Sequence, residues 1–285
     1  MGLAVTSRIQ ESAADPHTFF MMIALREKLS YASFLFTPRA MEAEETQLSV
    51  IILSAPRTGS TLLSTYLDSI ASFKSHGEVI NPETYPFFKK IGGLPFRREM
   101  GLFKMRSKLA DEQASIKLIF SQLERLNIRL ADLQQRFPNA KFMVIYRRHL
   151  INSYISYLRA KSTQEWSSKL RTQSQSSQPS FYIDQDEFLA YCHRIKNHYL
   201  SCRANNFLSR SMVVNYEALA GHPQQLFDEM IFPFLKLSPV SVKSPLKKQI
   251  TRPLSDLIDN FESVRAVIES PAALLDYDCA TQQFH

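Results

Sequence analysis

Cysteine is scarce in this chain, with three in 285 residues, Cys192, Cys202 and Cys279. So few cannot build a disulfide framework, which points to a reducing compartment. Cys192, His193, His198 and Cys202 are near neighbours in sequence. Zinc ligands, however, sit at tighter spacings that converge on one point, and the gap between these cysteines turns them apart on a helix. No metal is expected. Long apolar runs are missing too. Phe19 to Leu25, the longest near the N-terminus, falls far short of the roughly 20 residues that a bilayer span needs. No basic segment with an apolar stretch and cleavage site marks a secretory leader. The expectation is a soluble, cytoplasmic protein with no transmembrane segment. The opening Met1-Gly2-Leu3-Ala4-Val5-Thr6 fits a permissive acylation pattern that carries little information.

Glycine is also rare, seven in all, so a glycine between a strand and a helix is informative. Charge is not balanced. Lys and Arg number 34 against 27 Asp and Glu, a formal net charge of +7. That excess is either solvated surface or a focused positive cleft for nucleic acid, anionic lipid or a phosphorylated cofactor, and charge alone does not choose. No repeat appears at solenoid periods.

What is present is a regular alternation of elements. Hydrophobic residues make up 45% of the chain, enough for the core of one α/β domain spanning residues 1–285. Residues 1–46 read as a helical N-terminal extension. Leu48-Ser49-Val50-Ile51-Ile52-Leu53 is a short β-branched run suited to a buried parallel strand, and Leu62, Leu63, Tyr66, Leu67 and Ile70 follow at helical spacing. The unit repeats with strands at Ile116 to Phe120, Lys141 to Tyr146 and Met212 to Val214. The helices between them carry Leu123 to Leu133, Leu150 to Leu158 and Pro223 to Phe232, and a last amphipathic helix runs from Leu254 to Ile268. Strands alternating with helices predict a parallel sheet with helices on both faces. Residues 162–180, rich in Ser and Gln, read as a mobile loop, either an inert insertion or a lid or acceptor-binding segment. Trp166, the lone tryptophan, is either an aromatic wall beside that loop or a core residue.

The most informative segment is Ser54-Ala55-Pro56-Arg57-Thr58-Gly59-Ser60-Thr61, between the first strand and its helix. Against the nucleotide-binding pattern G-x-x-x-x-G-K-[ST], Gly59 and Thr61 fall in register. Ser54 replaces the first glycine and Ser60 the lysine. Backbone N–H groups, a helix N-terminus and the hydroxyls of Thr58, Ser60 and Thr61 suit an anion. The lysine that spans the β and γ phosphates of ATP is missing, and Arg57 supplies a cation inside the loop.

Ala55-Pro56-Arg57-Thr58-Gly59-Ser60-Thr61-Leu62-Leu63 resembles the 5′-phosphosulfate loop of sulfotransferases that use 3′-phosphoadenosine 5′-phosphosulfate (PAPS), closest to the bacterial carbohydrate enzymes of the nodulation-factor and trehalose types. The resemblance implies a P-loop-like three-layer α/β fold, with Arg57, Thr58, Gly59, Ser60 and Thr61 on the 5′-phosphosulfate. Val144-Ile145-Tyr146-Arg147-Arg148-His149 ends a strand, and Ser156 lies eight residues beyond Arg148. In the family an arginine and a serine so spaced bind the 3′-phosphate. That implies Arg148 and Ser156, with Arg147 the competing arginine. A guanidinium fork at a strand end and a hydroxyl two helical turns along can converge on one phosphate.

Ile116-Lys117-Leu118 resembles the family's central strand, which implies that Lys117 points toward the transferred group. Val213 to Leu219, with Phe234 to Leu237 after it, resembles a late strand and helix. Thr251 to Phe261 resembles a segment whose basic residues close over the cofactor, which brings in Arg252. The likeness runs from about Leu48 to Ile268. Sulfuryl transfer needs cations rather than the magnesium of a kinase, plus a base for the acceptor hydroxyl. Ser75-His76-Gly77-Glu78-Val79-Ile80 follows the first helix, where the carbohydrate branch places a glutamate base. That implies Glu78, with His76 the rival. The expected partner is a small-molecule or glycan acceptor, with no nucleic acid, since the informative cations sit at strand ends rather than among exposed aromatics. A small-molecule kinase would predict a lysine at position 60 and a magnesium-binding acid. The same residues also suit a sulfotransferase for a natural product or phenol, or a binding protein of this fold without catalysis.

Overall fold

The structure, a computed structural model, describes residues 48–81, 93–111, 113–164, 179–246 and 252–285. The expected helical extension, Trp166 and nearly all of the Ser/Gln loop lie outside the described residues. Five strands form one sheet: β1 (Leu48–Ser54), β2 (Lys74–Glu78), β3 (Gln113–Ile119), β4 (Lys141–Tyr146) and β5 (Ser211–Asn215). Their order is β2-β3-β1-β4-β5, and every pairing is parallel. This is the doubly wound arrangement that the alternation predicts. β1 is central; the chain runs from it to β2 and β3 on one side and then crosses past it to β4 and β5 on the other. A crevice opens outside the carboxyl ends of the strands at such a switch point, the usual place for a ligand in open α/β sheets.

Both faces of the sheet are covered. Val50 and Ile52 of β1, Met143 and Ile145 of β4 and Val214 of β5 pack on one face with Leu63 and Leu67 of α1 (Ser60–Leu67). Leu219, Phe227, Ile231 and Phe232 complete that core. The intervening residues Ile51, Leu53 and Val144 are equally buried on the other side, as the period-two geometry of strands requires. Phe142 meets Phe207 there with ring centroids 5.1 Å apart. Strands buried on two faces read as continuous apolar runs, which is why β1, β3 and β4 were legible.

Other elements depart from expectation. β2 reads Lys-Ser-His-Gly-Glu and carries no apolar pattern, being an edge strand. The helix α2 (Leu94–Lys108) before β3 was not anticipated. The helix expected across Leu123 to Leu133 is two, α3 (Phe120–Arg125) and α4 (Leu130–Arg136), divided where Asn127 adopts a left-handed φ of 52°. After β4 come α5 (Leu150–Thr163) and α6 (Gln185–Leu200), the latter capped by the Asp184 carboxylate accepting from the Glu187 N–H. Ser162 and Thr163, expected in the loop, belong to the last turn of α5. The final expected helix is likewise two pieces, Leu254–Leu257 and Phe261–Ile268. A short hairpin of Tyr277–Asp278 with Gln283–Phe284 closes the chain. Among the described residues, no helix is long and apolar enough to cross a membrane.

Candidate active site

The loop between β1 and α1 is built by specific contacts. The register pairs Ser54 with Ile119 of β3 and with Ile145 of β4, so three strands end level beneath it. Thr58 Oγ1 donates to the Ala55 carbonyl at 2.8 Å, closing the turn. The Ala55 N–H donates to the Tyr199 hydroxyl at 3.1 Å, and that hydroxyl donates onward to the Ile145 carbonyl at 2.7 Å. A fully buried tyrosine on α6 thus ties the loop to β4.

Gly59, the N-cap of α1, has a φ of 97°, which an L side chain rarely adopts. A Cβ placed there would stand 2.2 Å from Tyr216 Cδ2, so glycine is required by conformation and by space. Arg57 also takes a positive φ, 64°, a local strain of the kind that collects at binding sites.

On the β4 side, Arg57 Nε donates to Ser156 Oγ at 2.9 Å, joining the loop to α5. Burial pushes the Arg57 guanidinium down from its usual range, and the charges of Arg147 and Arg159 add to the fall while Tyr191 opposes it. Arg147 is buried, with its guanidinium carbon 4.4 Å from the centre of the Tyr216 ring. Its Nε is buried with no hydrogen-bond partner, as are Ser54 Oγ, the Tyr191 hydroxyl and Glu217 Oε1. Buried polar atoms are normally satisfied, so unpaired ones around a phosphate-type loop fit a polar ligand.

Arg148 faces the other way. It is half exposed, and its Nε donates to Asp276 Oδ1 at 2.6 Å, beside the final hairpin. Expectation placed Arg148 with Ser156; in the structure Ser156 bonds Arg57, whose guanidinium feels the charge of the buried Arg147, while Arg148 pairs with Asp276. Successive side chains at a strand end point to opposite faces, and Tyr216 receives Arg147 while Asp276 receives Arg148. Arg252 is exposed, with Nη2 donating to the Asp256 carbonyl at 2.8 Å within its own helical turn.

On the β3 side, Lys117 and Glu78 meet as a cross-strand pair, Nζ to Oε1 at 3.0 Å. Lys117 Nζ also donates to Thr61 Oγ1 at 2.8 Å. The β2–β3 register shifts between Ser75 and Glu78, where Gly77 takes a φ of 64°. This bulge re-aims Glu78 toward the loop, a device often found beside active sites. The Glu78 side chain keeps 25% of its surface exposed, so a hydroxyl can reach it. His76 is held elsewhere, its Nε2 2.7 Å from Asp111 Oδ2 before β3, where it holds the Asp111 carboxyl below the usual range. The structure brings Arg57, Thr61, Lys117, Glu78 and Ser156 around one loop and leaves His76, Arg148 and Arg252 on other partners.

Sequence reasoning missed two residues here. Nothing in the local pattern singles out Gln122, whose Nε2 donates to Glu78 Oε2 at 2.7 Å, or Tyr199. The cysteine and histidine group does not converge on a site. His198 Nδ1 lies 3.0 Å from Glu124 Oε1, His193 contacts Asn197, and burial pushes the Cys192 and Cys202 thiols up to about 12.

No protein-family model matches the chain. Nodulation protein H of Rhizobium meliloti (strain 1021) is 24% identical over 223 residues, covering 75% of this chain and 88% of that protein. This chain is similar to the bacterial sulfotransferases. Among solved structures, a sulfotransferase from Alicyclobacillus acidocaldarius covers 78% of this chain and 91% of its own at 15% identity, with a TM-score of 0.44. One from Mycobacterium avium covers 76% of this chain and 69% of its own at 13% identity, also with a TM-score of 0.44.

Proposed function

We propose that the protein is a PAPS-dependent sulfotransferase acting on an acceptor hydroxyl, with a carbohydrate or glycolipid as the favoured acceptor class. The observation that carries the reading is the Arg57–Ser156 hydrogen bond, which closes a phosphate-type loop onto α5 beside the buried, unpaired Nε of Arg147. Nodulation protein H matches over most of the chain and supports the same reading.

The residues present fit a nucleotide with anionic groups at two separate positions. Gly59 leaves room for backbone to approach an anion, and the N–H groups opening α1 point at it with the hydroxyls of Ser60 and Thr61. Arg57, Thr58, Gly59, Ser60 and Thr61 would hold the 5′-phosphosulfate, and Arg147 with Ser156 the 3′-phosphate. When bound, the donor supplies a sulfuryl group activated by its phosphate leaving group. Lys117 and Arg57 then set positive charge where negative charge develops, the preorganised electrostatics that most lowers such barriers. Glu78 receives the proton of the acceptor hydroxyl as general base. Lys117 aligns Glu78 by facing it across the strands.

Incubation with labelled PAPS and a panel of glycan, glycolipid and phenolic acceptors tests the activity. Transfer of label to a sugar hydroxyl is expected. Calorimetry should find 3′-phosphoadenosine 5′-phosphate bound far more tightly than ATP, because Ser60 stands where a kinase lysine would. Tighter, magnesium-dependent ATP binding would move the protein to the kinases.

A further inference from the structure

The two oxygens of the Glu78 carboxylate have different surroundings. Oε2 accepts from Gln122 Nε2 at 2.7 Å and from Asn81 Nδ2 at 2.9 Å. Two N–H donors use both of its lone pairs. Oε1 has Lys117 Nζ at 3.0 Å and is the oxygen with accepting capacity left.

Gln122 is itself locked. It is buried in the first turn of α3, and its Oε1 accepts the Ile119 N–H at 3.3 Å. A backbone N–H can only donate, so it holds the amide oxygen and turns the amide nitrogen toward Glu78. The end of β3 thereby fixes both Lys117, on the strand, and Gln122, one turn beyond it, against the same carboxylate.

We propose that Gln122 is a positioning residue for the reaction: with Asn81 it immobilises Oε2 of Glu78 and so assigns Oε1 to the acceptor proton. The proposal rests on the reading of Glu78 as the base. Gln122 acts through Glu78 and touches neither donor nor acceptor.

Gln122→Met keeps the bulk and removes both hydrogen bonds. It should lower kcat about 10- to 100-fold, the scale on which a misplaced catalytic group acts, while affinity for 3′-phosphoadenosine 5′-phosphate stays within about twofold. Gln122→Glu retains an acceptor for the Ile119 N–H and loses the donor to Glu78, so an equal loss separates the carboxylate contact from the helix cap. In a Glu78→Gln background, Gln122→Met should cost nothing further, because coupled residues are not additive. The Gln122 side-chain amide resonance should move markedly in Glu78→Ala. An unchanged kcat in Gln122→Met, an equal fold-loss in both backgrounds or an unmoved resonance overturns the role of Gln122 alone. Full turnover by Glu78→Gln sinks the base reading and this inference with it.

Discussion

The loop after β1 meets like charge on its β4 side and balanced charge on its β3 side. Toward β4, Arg57 sits near Arg147 and Arg159, and burial and mutual repulsion weaken its hold on its proton. Toward β3, Lys117 faces Glu78 at 3.0 Å, and each has its counter-charge in place. A buried cluster of cations is costly until an anion enters it, whereas a matched pair gains little from one. On the proposed function, the β4 side would bind the nucleotide and the β3 side would carry the reaction. Mutations on the two sides should separate affinity from turnover.

The largest effect should come from the β3 side. Glu78→Gln keeps size and hydrogen bonding but removes the proton acceptor, so kcat should fall about 10²- to 10⁴-fold. Affinity for 3′-phosphoadenosine 5′-phosphate should stay near that of the wild type. His76→Gln, on the far partner Asp111, should be much milder. A dead His76→Gln beside an active Glu78→Gln would reverse the base assignment. A large loss of nucleotide affinity in Glu78→Gln would erase the division between the two sides.

Next is the pair of glycines that shape each side. Gly59→Ala should destabilise the fold by about 1–2 kcal/mol for the left-handed backbone and a further 1–3 kcal/mol or so for crowding. Its Cβ would meet Tyr216, which also carries Arg147, so nucleotide affinity should fall along with stability. A Cβ on Gly77 would meet nothing within 4 Å, so Gly77→Ala should show the backbone part alone. Denaturant melts and nucleotide titrations of both variants measure this. Equal stability losses would mean that the Tyr216 contact is not tight.

How far the sequence could be read follows the same geometry. β1, β3 and β4 announced themselves because strands buried on both faces are apolar runs, and β5, half-buried at the other edge, through its short apolar run Met212 to Val214. β2 did not, since its Lys-Ser-His-Gly-Glu is polar and its edge position is set by pairing with β3. Glu78 is singled out by the family resemblance, which sets a glutamate after the first helix, but the bulge that aims it leaves no mark in the sequence. The choice between Arg147 and Arg148 could not be settled by spacing. It depends on Tyr216 and on Asp276, partners that only the fold brings to that strand end. Gln122 left no signal because its role requires the ends of two neighbouring strands to be level.

The cationic side is tested by Arg147→Ala. A charge-assisted hydrogen bond to phosphate contributes about 1.5–3 kcal/mol, so affinity for 3′-phosphoadenosine 5′-phosphate should fall at least about tenfold. Preference over adenosine 5′-phosphate should shrink with it, and kcat at saturating donor should change less than affinity. Calorimetry with both nucleotides reads the first two. Unchanged discrimination would remove Arg147 from the 3′-phosphate.

Arg148→Ala should give the smallest effect and the sharpest check. Its guanidinium is half exposed and bound to Asp276, and exposed ion pairs contribute little because water and salt screen them. If that contact is all it does, nucleotide affinity should stay within about threefold and discrimination between the two nucleotides should be intact. Asp276→Asn should then match Arg148→Ala, since either substitution breaks the same pair. The sequence spacing to Ser156 argues the opposite, that Arg148 reaches the 3′-phosphate. These views diverge most in a comparison of the two variants. Were Arg148 to leave Asp276 for the phosphate on binding, Arg148→Ala would weaken the nucleotide at least tenfold. Asp276→Asn, which frees the guanidinium, would strengthen it. Opposite signs in the pair would return the 3′-phosphate to Arg148, whereas two matched small effects leave it with Arg147.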